Sequence, residues 1–169
     1  MPLKNKNSGY TLIELVVVIT IISIMLFFAI PRFQSTVLTD NTKKFSRWII
    51  TTIRGLKAAS VRDQKRFILN VSLDSGKFWV TSDAMSEEEL QIAQQDGYRL
   101  PEDVRIVDIE FPFKGKITGG QVEISFYKAD YSDKVMIHIE NSRSKQMSFL
   151  VEPFLPGVKL YEQYIGFEI

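Results

Sequence analysis

The stretch Gly9-Tyr10-Thr11-Leu12-Ile13-Glu14 runs directly into an uncharged segment, Leu15 to Ile30, and that junction decides how the chain is read. The apolar segment, counted from Tyr10, is about twenty residues long, enough for a membrane-spanning helix. Glu14 stands at its mouth. An ionisable side chain in a bilayer costs about 3 kcal/mol on insertion scales, so it requires a partner and a purpose. The residues before Gly9 are polar and basic, with Lys4 and Lys6, which favours holding that end in the cytoplasm.

Three explanations compete for such an N-terminus. A secretory signal peptide has a shorter apolar stretch and small residues at a cleavage site beyond it. Here Phe27-Phe28-Ala29-Ile30-Pro31-Arg32 offers no Ala-x-Ala step. An uncleaved anchor explains the length and the flanking charges but leaves Glu14 without a role. The third explanation rests on a resemblance.

Residues Gly9 to Glu14 resemble the processing site of the type IV pilin and type II secretion pseudopilin superfamily. The resemblance implies that a prepilin peptidase cuts the Gly9–Tyr10 bond on the cytoplasmic side and methylates Tyr10 as the new N-terminus. Tyr10 departs mildly from the superfamily's usual Phe. Thr11-Leu12-Ile13-Glu14 matches without a gap, and Pro31 falls where pilin helices commonly carry a proline and should kink. After cleavage the Tyr10 amine and the Glu14 carboxylate would lie one helical turn apart, at a helix end whose dipole favours an acid. The resemblance further implies that Glu14 meets the N-terminal amine of a neighbouring subunit during filament assembly.

Composition bounds the remainder. The chain has 169 residues, room for one membrane helix and one modest domain. Its 21 basic and 20 acidic residues give no excess charge for nucleic acid, and nucleic acid is not expected as a partner. There is no cysteine, so an exported domain must rest on its apolar core without disulfides.

Beyond Pro31 the pattern turns amphipathic. Phe45, Trp48, Ile49, Ile53, Leu56 and Ala59 recur at helical spacing, with Lys43, Lys44, Arg47, Arg54, Lys57 and Arg62 on much of the remaining surface. A helix from about Tyr10 to about Arg66 would be on the order of 80 Å long. Strands are then expected at Phe67–Leu73, Lys77–Thr81, Val104–Phe111, Gln121–Tyr127, Val135–Glu140, Met147–Glu152 and Val158–Tyr161. Asp74-Ser75-Gly76 reads as a hairpin turn, and Ser86 to Gln95 as a short helix opened by a Ser86/Glu89 capping box. The expected organisation is a leader at 1–9, a transmembrane or filament-core helix at 10–30, an amphipathic helix half at 31–66, and a periplasmic β-rich domain at 67–169. The fold class is α+β, pilin-like, with a long N-terminal helix packed on antiparallel sheet.

The order of these elements resembles the H-type minor pseudopilins, the GspH/FimT group. That resemblance implies a structural subunit of the periplasmic pseudopilus of a type II secretion system, made in the inner membrane with its N-terminus in the cytoplasm. Its partners would be the prepilin peptidase, other major and minor pseudopilins and the inner-membrane platform. A minor type IV pilin for pilus assembly or DNA uptake, and a monomeric single-pass protein with a ligand-binding domain, are the alternatives.

No catalytic constellation is legible. His138, the only histidine, falls in a strand opposite in face to Val135, Ile137 and Ile139, where a surface or half-buried side chain is expected. Nothing completes a triad or a zinc site around it. Glu87, Glu88 and Glu89 read as a solvated helix start. Asp130, Ser132 and Asp133 read as a turn rather than calcium ligands, and Phe78, Trp79 and Phe126 as core. Gly115-Lys116 lacks the remainder of a phosphate loop. No metal, cofactor or enzymatic activity is expected.

Overall fold

The computed structural model describes residues 11–167, and for residues 26–40 the helical backbone only. A helix, α1, spans Leu12–Arg62. The chain divides into two compact units, Met1–Thr39 and Asp40–Ile169.

Within the second unit, α1 presents the expected stripe. Phe45, Ile49 and Ile53 are fully buried, Leu56 nearly so, and Lys43, Arg47, Arg54 and Arg62 are exposed. The helix stops at Arg62, short of the expected Arg66, because Gln64 adopts φ 52° and closes the last turn. Its side chain donates to the Val61 carbonyl at 2.7 Å, while the Asp63 amide donates to Ala59 at 2.8 Å. These bonds satisfy carbonyls that a helix end leaves open. Glutamine in the left-handed region is uncommon, so no glycine marks this end in the sequence.

The strands follow as β1 (Phe67–Ser72), β2 (Lys77–Ser82), β3 (Tyr98–Arg99), β4 (Val104–Phe111), β5 (Gly115–Ile117), β6 (Gln121–Tyr127), β7 (Tyr131–Ser132), β8 (Val135–Asn141), β9 (Gln146–Val151) and β10 (Val158–Tyr161). A second helix, α2 (Glu87–Gln95), lies between β2 and β3. All longer strands stand where alternation and turn residues put them. The short β3, β5 and β7 were not expected; two- and three-residue edge strands carry too little pattern to register. The strands form two five-stranded sheets, in the orders β3-β2-β1-β6-β7 and β10-β9-β8-β4-β5, every pairing antiparallel.

One core joins α1 to both sheets. Phe45 packs against Phe78 and Tyr98 of the first sheet, with ring centroids at 5.5 and 6.2 Å, and against Phe149 of the second at 5.9 Å. Trp48 stacks on Tyr98 at 3.9 Å. Phe78 and Phe126 are core as expected, whereas Trp79 is buried outside that cluster, on the α2 side of β2. The capping box of α2 is complete: the Ser86 hydroxyl accepts from the Glu89 amide and the Glu89 carboxylate accepts from the Ser86 amide. Gly97 lets the chain leave α2 against β2, since a Cβ there would meet the Phe78 carbonyl oxygen at 2.6 Å.

Candidate functional site

The sequence motif lies at the start of α1. Gly9 and Tyr10 fall outside the described residues; from Thr11 onward the geometry is defined. Thr11 is the cap of the helix, its hydroxyl accepting from the Glu14 amide at 3.3 Å while its carbonyl accepts from Leu15 at 3.2 Å. Glu14 thereby occupies the third position of the first turn, where the positive end of the helix dipole favours a carboxylate. Thr11 has a role that the sequence reading did not assign. Its signal, Thr followed three residues later by Glu, is the capping-box pattern.

Beyond Glu14 the segment is apolar on every side. Leu12, Ile13, Leu15 and Met25 are 81, 70, 54 and 66% exposed, and every residue from 11 to 25 is classed as exposed. The two hydroxyls in this run are internally satisfied: Thr20 donates to the Val16 carbonyl at 2.7 Å and Ser23 to Ile19 at 2.8 Å. A helix that turns its hydroxyls back onto its own backbone can be packed among apolar groups without stranding a donor. Among the described residues, no hydrogen bond or ion pair holds the Glu14 carboxylate. No helix among the described residues is long and apolar enough to cross a membrane; the expected span, 10–30, includes Tyr10 and residues 26–30, which are not fully described. Pro31 stands within the helical backbone of α1, in the part described by its backbone alone.

In the folded domain the other candidates resolve into structural roles. The Asp133 carboxylate accepts from the Ser125 amide at 2.8 Å and from the Tyr127 hydroxyl at 3.4 Å, and Ser132 donates to the Asp133 carbonyl. Asp130 sits in the tight turn before β7 at φ 62°. Among the described residues no group of three or more acids or histidines is placed to hold a metal ion. Glu89 is held below the usual glutamate range by its hydrogen bonds from Ser86.

Lys57 is a second residue whose role the sequence did not reveal. It lies on the basic side of α1 but is buried, and its ammonium donates to the carbonyls of Glu152 (2.5 Å), Leu155 (2.6 Å) and Pro153 (3.3 Å). Burial pulls its pKa down, while Asp130 and Glu152 oppose that shift. It pins the β9–β10 loop to the helix. Beside it lies an open groove of about 730 Å3, lined by Arg54, Val61, Arg62, Phe154 and Leu155.

His138 corrects the sequence reading most clearly. It does face away from the core side of β8, but it is fully buried rather than surface or half-buried. Its ring touches Asp108, Tyr164 and the Ile165 carbonyl, because the segment after β10 folds back over that face of the sheet. Alternation fixes which face a side chain takes, not what later covers it.

Comparison with known proteins adds two findings. Residues 4–30 match the family model of the prokaryotic N-terminal methylation motif. No curated protein matches the chain in sequence. Two solved structures of the minor pseudopilin EpsH from the type 2 secretion system of Vibrio cholerae share the fold at 9% identity. One superposes with a TM-score of 0.56 over 75% of this chain and 97% of that one, the other with 0.53 over 71% and 94%. Residues 4–30 thus carry the prokaryotic N-terminal methylation motif, and the chain shares the α+β fold of the minor pseudopilin EpsH.

Proposed function

We propose that this protein is a minor pseudopilin, a structural subunit of a periplasmic type II secretion pseudopilus, and the substrate of a prepilin peptidase rather than an enzyme. The observation that carries the reading is the union, in one chain, of a methylation motif at residues 4–30 with an H-type pseudopilin fold. In this reading the chain waits in the inner membrane, N-terminus in the cytoplasm and β domain in the periplasm. Cleavage after Gly9 creates the Tyr10 amine, which is methylated. The helix then leaves the bilayer and packs among the helices of major and minor pseudopilins on the inner-membrane platform.

Glu14 supplies the docking chemistry. An unpaired carboxylate is costly in lipid, and an incoming N-terminal amine at the filament end neutralises it. The Thr11 cap and the helix dipole hold that carboxylate at the helix mouth, ready for such a partner.

The test is the mass of the N-terminal peptide from native membranes, with and without active prepilin peptidase. A peptide beginning at methylated Tyr10, lost without the peptidase, is expected; a chain still beginning at Met1 in both samples overturns the reading. Gly9→Ala should block cleavage. Glu14→Leu should be cleaved yet fail to enter filaments, and normal incorporation of that variant would refute the charge-pairing role.

A further inference from the structure

The half of α1 that belongs to the folded domain carries charge of one sign. From Asn41 to Arg62 it holds Lys43, Lys44, Arg47, Arg54, Lys57 and Arg62 and no acid. Arg47, Thr51 and Arg54 recur at i, i+4 and i+7, so they share one side of the helix, and all three are exposed. Beside Arg54 stands Gly55, where a Cβ would meet nothing within 4 Å. The strip is therefore low in its middle, with a guanidinium at each end.

The helix α2 has the opposite charge. Glu87, Glu88 and Glu89 open it, Asp96 caps its end, and its sequence contains no cation. Glu88, Ile92 and Asp96 follow at i, i+4 and i+8 along one side. All three are exposed, Ile92 by 51%. Asp96 stands at the end where the helix dipole disfavours a carboxylate, and no basic residue occupies the last turn to offset it. Among the described residues, the side chains of Arg47, Arg54, Glu88 and Asp96 make no hydrogen bond or ion pair.

The two strips match in spacing and in level. Glu88 and Asp96 are about 12 Å apart along α2, and Arg47 and Arg54 about 10 Å apart along α1. Tyr98, just after Asp96, stacks on Trp48, the neighbour of Arg47. Ser82, before α2, pairs with Phe67, just past the end of α1. So α2 runs in the opposite sense to α1, its Asp96 end level with Arg47 and its Glu88 end toward Arg54. Within one copy the strips cannot meet. Phe78 of β2 packs against Phe45 and Trp48 of α1, whereas α2 flanks the other face of β2, beside Trp79.

We propose that α2 of one copy docks on the Arg47–Thr51–Arg54 strip of a second copy of this chain. Asp96 meets Arg47, Glu88 meets Arg54, and Ile92 seats over Thr51 and Gly55. Two copies standing side by side in the same sense bring these groups to the same level. The contact joins unlike surfaces, so each pair keeps one free α1 strip and one free α2 and can add a further copy at either end. Exposed ion pairs are individually weak and are screened by salt, so the association is salt-sensitive. The inference concerns the folded domain and stands apart from processing at Gly9; failure of either leaves the other in place.

The test exploits a chain without cysteine. Full-length Thr51→Cys and Ile92→Cys chains, their charges intact, are mixed in zwitterionic detergent micelles and gently oxidised. A disulfide forms only where the two Cα atoms come within about 7 Å. The mixed 51–92 dimer should exceed both symmetric dimers and fade as salt rises from about 0.01 M to about 1 M. Arg47→Glu with Arg54→Glu in the Thr51→Cys chain should lower its yield by about tenfold or more. Adding Glu88→Arg with Asp96→Arg to the Ile92→Cys chain should restore it. A dominant symmetric dimer would mean that like faces meet, and no dimer at all that the α1 strip serves a different partner; either result overturns the proposal. So does a mixed dimer indifferent to salt or to charge reversal, or one that the second reversal does not restore. Every substituted position is exposed. Should the reversed chains still fail to fold, the salt series of the charge-intact pair decides alone.

Discussion

Lys57 shows how a single side chain can be misfiled by its charge. Among lysines and arginines spread along one helix it looks like solvated surface, yet its ammonium satisfies carbonyls that the β9–β10 loop cannot pair with itself. Lys57→Met keeps the stem and removes the donor. It should cost about 1–3 kcal/mol in urea unfolding, because the Glu152 and Leu155 carbonyls lose the donor that the ammonium supplies. Amide exchange should rise at Phe154, Leu155 and Gly157 before it rises elsewhere. Glu14 is the contrasting case: under the proposed function its carboxylate serves an incoming subunit, so Glu14→Leu should leave the stability of the folded domain unchanged while abolishing incorporation.

The elements are where propensity can be tested. Gly55 sits inside α1, exposed, and a Cβ there meets nothing within 4 Å. Gly55→Ala should therefore stabilise the protein by about 1 kcal/mol, a rise of roughly 2–4 °C in Tm. A gain in Tm with loss of filament assembly would mean that a neighbouring subunit needs the bare backbone. The short helix α2 buries none of its own residues, so it depends on its cap. Glu89 is depressed by its bonds from Ser86. Its contribution is present above the ordinary glutamate range and is lost as pH falls through the lower, folded-state value. Amide protection across α2 should thus fade in acid before the sheets unfold, and Ser86→Ala should produce the same fraying at neutral pH.

At the scale of the molecule, α1 acts as the shared wall of two sheets. Phe45 touches aromatic rings from both, so its loss should be felt by both. Phe45→Ala is expected to cost about 3–5 kcal/mol, a large part of the stability of an ordinary domain. Unfolding followed by Trp48 fluorescence and by far-ultraviolet circular dichroism should shift together. Separate transitions would mean that the sheets are stable independently of the helix.

The sequence by itself determined the strand sites, the helix stripe, the capping box of α2 and the resemblance at Gly9 to Glu14, because each is a local pattern. Alternation of Val122, Ile124 and Phe126, or the spacing of Phe45, Ile49 and Ile53, reports a buried face without naming its partner. What the tertiary structure alone decided is which surfaces meet. The partition of strands into two sheets, the left-handed Gln64 that ends α1, the bulge that turns Asp108 outward and the burial of His138 all depend on contacts between residues far apart in the chain. Periodicity fixes the direction of a side chain; only the path of the remaining chain fixes whether water or protein receives it.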